Sequence, residues 1–459
     1  MITPKHRPPL DHDFVPAVLW NRDYAAKVEA TPGSHPLAIA LVRGDETVSV
    51  FKTRVLAHTP ENAATNIRYV ERLVKFLLWQ RGGFRVLIAG DPEIGRAVAE
   101  IYSPGGARAF DHEFMGRKVY GRTMEVAACE WDALPESREL SIPLGRNLDG
   151  CRIGFDLGGS DRKCAALQDG KVVFSEEIRW DPYFQTDPQY HYDGIRETLR
   201  RAAEKLPRVD AIGGSSAGVY VNNEVRVASL FRGVSEDDFE KRVRRIFFDL
   251  QNEWGGIPFE VVNDGEVTAL AGSMSMNDNA VLGVSLGTSQ AAGYVDPDGH
   301  IRPWLNELAF APVDYRDDAP VDEWSGDAGC GVQYFSQQGV ARLVPIAGID
   351  LPAGMAFAEQ LVEVQKLMAA GDPRARAIYE TIGVCFGYAI AHYADFYEIR
   401  NLLILGRVTS GEGGEIILEK AAAVLRDEFP ELTLQLRTPD EKDKRHGQAV
   451  AAASLPKLC

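Results

Sequence analysis

The sequence is poor in several features that would each dictate a function. No apolar run approaches the roughly 18 residues that a membrane-spanning helix needs. The best runs are short, such as Val74–Trp79. The stretch MITPKHRPPLDHDF has no apolar core of the kind a secretory signal carries. Six cysteines lie scattered through 459 residues without a C-x-x-C pair. That argues against a disulfide framework and for reduced thiols in a cytoplasmic chain. Positive charge is also short: 50 Lys and Arg face 66 Asp and Glu, a net charge of -16. Such an acidic surplus disfavours a phosphate backbone or a membrane surface as partner, so neither nucleic acid nor membrane is expected.

What is present is ordinary for a globular chain: 45% hydrophobic, 25% charged, mean hydropathy -0.18. The length allows about three domains. Charge divides them unevenly. Residues 1–150 hold 19 basic and 19 acidic side chains, so the whole -16 belongs to the residues after Gly150. Pro143, Gly145 and Gly150 mark a boundary near 140–150. Before it, Leu37–Val42 and Val48–Val55 read as a hairpin, Glu61–Gln80 as a helix with Ile67, Val70, Leu73, Val74, Leu77 and Leu78 on one face, and Arg85–Ala89 as a strand. After it come strands at Cys151–Asp156, Lys163–Gln168 and Lys171–Ile178, a helix over Asp193–Leu206, and a strand at Val209–Ile212 with a glycine-rich exit. The repeated order suggests a degenerate internal duplication. The rest continues as α/β, with helices at Phe239–Glu253, Ala356–Ala370 and Arg374–Ile399 and strands at Phe259–Val262, Ala280–Leu286 and Asn401–Leu405. The basic run Arg68–Arg85 reads as a solvated helix face over a core, and Lys241–Arg245 likewise.

The strongest chemical signal is Gly154-Phe-Asp-Leu-Gly-Gly-Ser-Asp-Arg-Lys163. A strand delivers Asp156 into a turn where Gly158 and Gly159 let backbone N–H groups approach phosphate oxygens. Ser160 adds a hydroxyl, Lys163 a cation, and Asp156 a carboxylate suited to hydrated Mg²⁺. A plain hairpin turn would use the same residues. A second strand–turn–strand, Val281–Val295, offers Gly287, Thr288 and Ser289 to a phosphate from the opposite side. Between them, Asn263-Asp264 ends a strand and opens a helix. Asp264 either caps that helix or, kept ionised by the helix N-terminus, serves as a base for a hydroxyl proton.

The order DLGGS, NDGEVTALAG, SLGTSQAAG, then a strand–glycine–helix at Leu405-Gly406 resembles the actin-like ATPase superfamily of sugar kinases. Within it the chain looks most like the repressor/ORF/kinase (ROK) family, over about residues 151–457. The resemblance implies an α/β fold of two actin-like (ribonuclease H-like) lobes with a central cleft, preceded by an extra α/β module. The module would be residues 1–150, a decayed actin-like half or a scaffold, lid or dimerisation surface. The lobes would be 151–264, completed by a helix at about 445–457, and 265–444. It further implies ATP and Mg²⁺ at Asp156, Gly158, Gly159, Ser160 and Lys163, with Gly287, Thr288, Ser289 and Gly406 on the nucleotide. Asp264 matches the family's catalytic base, and Asn263 and Glu307 its sugar contacts. A homodimer acting on a small sugar or polyol is implied by the same likeness.

The pattern also breaks. Asn306-Glu307-Leu308-Ala309-Phe310 stands where the family has G-E-x-G-H, so the histidine position is Phe310. Of the family's zinc-binding cysteine cluster only Cys330 is kept, and its sugar-contacting glutamate is Val332. One cysteine cannot hold tetrahedral zinc, so no zinc site is expected, and the pocket should be more apolar. Gln290 would crowd the second phosphate loop. The expected activity is therefore ATP-dependent phosphorylation of a small polyol or modified sugar. The alternative is a non-catalytic nucleotide or sugar sensor, or a scaffold, on the same fold.

Overall fold

The computed structural model describes residues 2–44, 47–139, 144–438 and 447–458. Pro143 lies outside the described residues. Gly145 and Gly150 both turn the backbone through positive φ, at 98° and 75°. No helix among the described residues is long and apolar enough to cross a membrane.

The first 130 residues form α1 (Ala17–Ala30), β1 (His35–Val42), β2 (Val48–Val55), α2 (Pro60–Arg81), β3 (Arg85–Ala89) and α3 (Pro92–Ile101). A short α4 (Ala109–Glu113) then runs into a π-helical turn, Phe114–Tyr120, before β4 (Glu125–Cys129). The sheet order is β2-β1-β3-β4. The hairpin, the long helix and β3 fall where periodicity and turn residues put them. Two short helices, α1 and α3, escape such a reading. Asp91 caps α3 by accepting from the N–H groups of Glu93 and Ile94.

The next sheet holds β5 (Cys151–Leu157), β6 (Asp161–Gln168), β7 (Lys171–Arg179), β8 (Ala211–Ser216) and, after a separate hairpin of β9 (Val219–Val221) and β10 (Glu224–Val227), β11 (Phe259–Asn263). Its order is β11-β8-β5-β6-β7. β5, β6 and β7 are an antiparallel meander, while β8 and β11 run parallel to β5. α5 (Pro188–Ala203), α6 (Glu236–Asp238) with its π-helical continuation Phe239–Val243, and α7 (Ile246–Glu253) complete this lobe. Val243, Ile246 and Phe247 are buried, so the basic run 241–245 covers a core.

α8 (Asp264–Met276) leads into the third sheet: β12 (Val281–Leu286), β13 (Gln290–Val295), β14 (Asn401–Leu405) and β15 (Gln435–Arg437), in the order β13-β12-β14-β15. Here too the leading strand pairs antiparallel with its hairpin partner and parallel with a later strand. The helices are α9 (Gln337–Ile346), α10 (Phe357–Ala369), α11 (Pro373–Ala394) and α12 (Glu412–Glu428). Finally α13 (Gly447–Ala453) returns to the first lobe and lies across β5 and β8. Gly154 and Gly213 are register partners beneath it. A Cβ on either would overlap the carbonyl of Ala449 or Ala452. Gly213-Gly214 is thus strand interior that admits a helix, where a glycine-rich exit loop was expected.

Two expectations for the N-terminal third are overturned. The element order recurs between the first two sheets, but the pairing does not. β3 returns antiparallel to β1, whereas the corresponding β8 runs parallel to β5. The module therefore lacks the parallel pairing that an actin-like half would share with the first lobe. The second correction concerns α2. Its polar face is not solvated, because the segment 305–327 and α11 cover it. Phe76 stacks on Phe396 at 4.0 Å and Trp79 packs against Phe310 at 4.5 Å. Lys75 is fully buried, with its ammonium 2.8 Å from Asp111 and 3.3 Å from Asp327. The guanidinium of Arg72 lies 2.6 Å from Glu71 and 3.5 Å from Asp327, and Arg108 pairs with both of those carboxylates. Residues 14–124 therefore share one continuous apolar core with residues 282–429.

Replacing Lys75 with Met would leave Asp111 and Asp327 buried with less compensation. Urea or thermal unfolding should show a loss of about 3–5 kcal/mol. The double variant with Asp111→Asn should lose less than the sum of the two single losses.

Candidate active site

The carboxyl ends of three adjacent parallel strands meet at one edge of the central sheet. Register sets Asp156 on β5 beside Ser215 on β8 and Lys163 on β6, while Asn263 on β11 faces Ser216. Ligand sites on parallel sheets form outside such ends.

Past Asp156 the chain turns tightly. Gly158 donates its N–H to the Asp161 carbonyl at 2.9 Å, and the Trp180 indole donates to the Gly158 carbonyl at 2.7 Å. Gly159 lets the Tyr183 ring lie against the turn, where a Cβ would force that ring to move. The Ser160 hydroxyl is exposed and donates to Asp161 at 2.9 Å. The Lys163 ammonium sits between two carboxylates, 3.3 Å from Asp161 and 3.9 Å from Asp156. Burial lowers the Lys163 pKa, but those carboxylates outweigh it and hold the ammonium above its ordinary range. Asp156 is pushed up by burial, against a bond from Ser215 and the charge of Lys163. Asp161 is a member of this cluster that the motif alone did not single out.

Asp264 opens α8, but the capping is done by Asn263. The Asn263 side-chain oxygen accepts from the Gly265 N–H at 2.7 Å, and its amide donates to the Gly218 carbonyl at 2.6 Å. Asp264 is thus the first residue inside the helix and not its cap, and its carboxyl still draws on the N–H groups of Gly265 and of its own backbone. Among the described residues the Asn263 amide donates one hydrogen bond, to Gly218. The expectation that the helix N-terminus keeps Asp264 readily ionised needs correction. Burial and the nearby charge of Asp156 raise its pKa to about 6, while backbone N–H groups pull the other way. Glu307 is raised to about 7 by burial and by Asp264. Glu266, one residue beyond Gly265, is raised to about 8 by burial, against a 3.4 Å hydrogen bond from Asn306 and with the charge of Glu307 adding to the rise. Glu307 is carried by α2: the N–H groups of Asn306 and Glu307 donate to the carbonyls of Gln80 and Trp79, each at 2.9 Å. Asn306 accepts a left-handed φ of 52° there, and the Tyr397 hydroxyl donates to its side chain at 2.9 Å.

The second loop sits at the corresponding end of β12. Gly287 donates to the Ser289 carbonyl at 3.0 Å, and Thr288 and Ser289 are exposed. Gln290 does not crowd it. As the first residue of β13 it points inward, buried, and its amide donates to the Tyr393 hydroxyl at 3.0 Å. Gly406, with φ 108°, lies so close to Leu286 that a Cβ would overlap the Leu286 backbone. That contact joins the exits of β12 and β14. Beyond it a cavity of about 310 Å³ is lined by Gln365, Met368, Tyr379, Ser410, Gly411 and Gly413. The run Gly411-Glu412-Gly413 forms part of its wall and is a sequence signal separate from Gly406.

Val332 and Cys330 are buried beside Ala309, and the Cys330 thiol lies 3.6 Å from the Phe310 carbonyl. Among the described residues no group of three or more His, Cys, Asp or Glu side chains is gathered as a metal cage.

No protein-family model matches the chain, and no curated protein matches it. Solved structures do. The ROK hexokinase of Thermus thermophilus is 17% identical and covers 67% of this chain and 97% of its own, with a TM-score of 0.54. A ROK family transcriptional regulator, a homologue of the E. coli Mlc protein, is 18% identical and covers 67% and 78%, with a TM-score of 0.51. The Lmo2764 protein of Listeria monocytogenes is 14% identical and covers 66% and 97%, with a TM-score of 0.50. The chain has the ROK fold. Within that fold Asp156, Asp161, Lys163, Asp264, Glu266 and Glu307 are electrically coupled. Phe310 and Val332 have passed into the packing.

Three raised carboxylates cost stability wherever they ionise in the folded state. Their favourable contribution is complete below the ordinary carboxylate range and is lost as pH rises through about 6, 7 and 8. Glu266→Gln should exceed the parent's urea midpoint by much more at pH 8.5 than at pH 5. Identical midpoint differences at the two pH values would contradict the assignment.

Proposed function

We propose that the chain is an ATP- and Mg²⁺-dependent phosphotransferase acting on a hydroxyl of a small sugar or polyol, with Asp264 as general base. The observation that carries this is Asp264 itself. Its carboxyl lies just inside the cap made by Asn263, is raised to about 6, and is coupled to Asp156 on one side and Glu307 on the other. A base is most effective when its pKa lies near the working pH.

The residues fit a hydrated Mg²⁺, which keeps several waters and needs only one or two protein carboxylates. Asp156 would take it through water, with Asp161 beside it. Bound Mg²⁺·ATP supplies the phosphoryl group and neutralises charge as the group moves. The chain's own part is then proton handling and positioning. Asp264 takes the acceptor's hydroxyl proton as that oxygen attacks the γ-phosphorus and the bond to the ADP oxygen breaks. Glu307 and the amide of Asn263 orient the acceptor. Gly158–Ser160 and Lys163 face the phosphates from one lobe, and Gly287–Ser289 from the other. Gly406 and the cavity at Ser410–Gly413 stand on the adenosine side. A sensor that binds without transfer is the second reading. It is favoured by the loss of Phe310 and Val332 to packing where the family has sugar contacts.

Asp264→Asn should lower phosphoryl transfer by about 10²–10⁴-fold while Mg²⁺·ATP binding, followed by thermal shift, is retained. With the parent protein, kcat/KM should rise with apparent pKa values near 6 to 7. ATP binding without ADP release across a panel of sugars and polyols would favour the sensor.

A further inference from the structure

A cavity of about 780 Å³ lies where three parts of the molecule meet. One wall is aromatic and joins residues distant in sequence: Phe110 and Phe114 from the N-terminal module, and Trp324 from the loop before Cys330. Trp324 meets Phe110 and Phe114 nearly edge-on, at 4.9 and 5.2 Å. The opposite wall is Phe231 and Phe239 of the first lobe, 6.3 Å apart. Its volume falls in the usual range for small-molecule sites, about 300–1,000 Å³. Trp324 is 52% exposed, an unusual state for a tryptophan in contact with three other rings.

The charges around the cavity are not balanced. The lining carboxylates all have cationic partners: Glu113 with Arg117 at 3.5 Å, Glu236 with Lys118 at 3.0 Å, and Glu240 with Arg244 at 2.8 Å. Arg226 is 2.7 Å from Glu224. Arg232 differs. Among the described residues its guanidinium has no carboxylate partner and is held over the rings of Tyr183 and Phe184, at 4.0 and 5.1 Å. A guanidinium oriented by stacking keeps its N–H fork available for a carboxylate or sulfonate.

The cavity is also bracketed by the candidate active site. Arg232 packs on Tyr183, and Tyr183 packs on Gly159 of the first phosphate loop. On the other side Trp324 packs on Phe310 at 5.0 Å, and Phe310 lies one 3₁₀ turn beyond Glu307. From these walls and this unpaired cation we infer that the cavity is a binding site for a small organic anion with a planar aromatic body. The ring would sit between Trp324 and the Phe231–Phe239 wall, and the anionic group would meet Arg232.

The probe is 2-naphthoate, titrated calorimetrically into the full chain without nucleotide or sugar. One saturable site per chain is expected. Trp324→Ala should weaken binding about tenfold, the worth of one good ring contact. Arg232→Gln should weaken 2-naphthoate about tenfold yet leave the uncharged 2-naphthol within about twofold. Arg232 is exposed, so Arg232→Gln should keep the parent melting temperature, whereas Trp324→Ala gives up three ring contacts, so its affinity is measured below its own melting transition. Absence of saturable binding, or unchanged affinity in Trp324→Ala, would overturn the site. Equal effects of Arg232→Gln on naphthoate and naphthol would overturn the anion. No phosphoryl transfer is read, so failure of the kinase reading leaves this result standing.

Discussion

The ammonium of Lys75, fully buried between Asp111 and Asp327, obliges three segments distant in sequence to come together before any of them can leave water. A charge in that position is tolerable only with its partners in place. The same helix, one turn later, offers the carbonyls of Trp79 and Gln80 to the backbone of Asn306 and Glu307. Those carbonyls have no partner within the helix, being in its final turn. Burying α2 therefore seats Glu307 as well. The N-terminal module is a wall of the second lobe, and the loop that carries Glu307 is shaped against it. In the ROK resemblance that loop is organised by zinc. Here an ion cluster and a run of stacked rings occupy the neighbourhood.

The cleft poses the opposite electrostatic problem. Asp156, Asp264, Glu307 and Glu266 are crowded, Lys163 compensates Asp156, and all four have raised pKa values. Two devices limit the cost. Asp264 stands on the first turn of α8, where backbone N–H groups favour the ionised form. Asn306 offers an amide to Glu266. What is left is a site that gains from a proton or from a cation, and this is the electrostatic condition under which a hydrated divalent ion and a transferable proton are both welcome.

Much of this was legible in the residues, for reasons that are physical. Strand–glycine–strand patterns located both loops because short-range geometry decides them. Asp156 and Asp264 stood out because a carboxylate at a strand's end has few structural duties. What escaped was set by distant partners. The 3.6-residue period of α2 identifies its apolar stripe but cannot tell what covers the other side, so Arg72 and Lys75 read as solvated. Gln290 read as an obstacle because its facing depends on where β13 begins. The pairing sense of β3 and β8 cannot be told from element order, and the duplication failed on that point. Glu266 and Asp161 acquire their character only from neighbours that the fold supplies.

The glycine pair under α13 has a consequence for how the molecule is made. Gly154 and Gly213 leave a groove on the sheet that carries Asp156, and the segment that fills it comes after the entire second lobe in sequence. On the ribosome, β5, β6, β7, β8 and β11 emerge with that face bare, and nearly 200 further residues must be synthesised before the cover arrives. Until then the nascent sheet has a strip of uncovered backbone and alanine-sized hollows in its place. The first lobe is thus begun early and finished late, because the face of the sheet beneath α13 is covered only once residues 447–453 have been made.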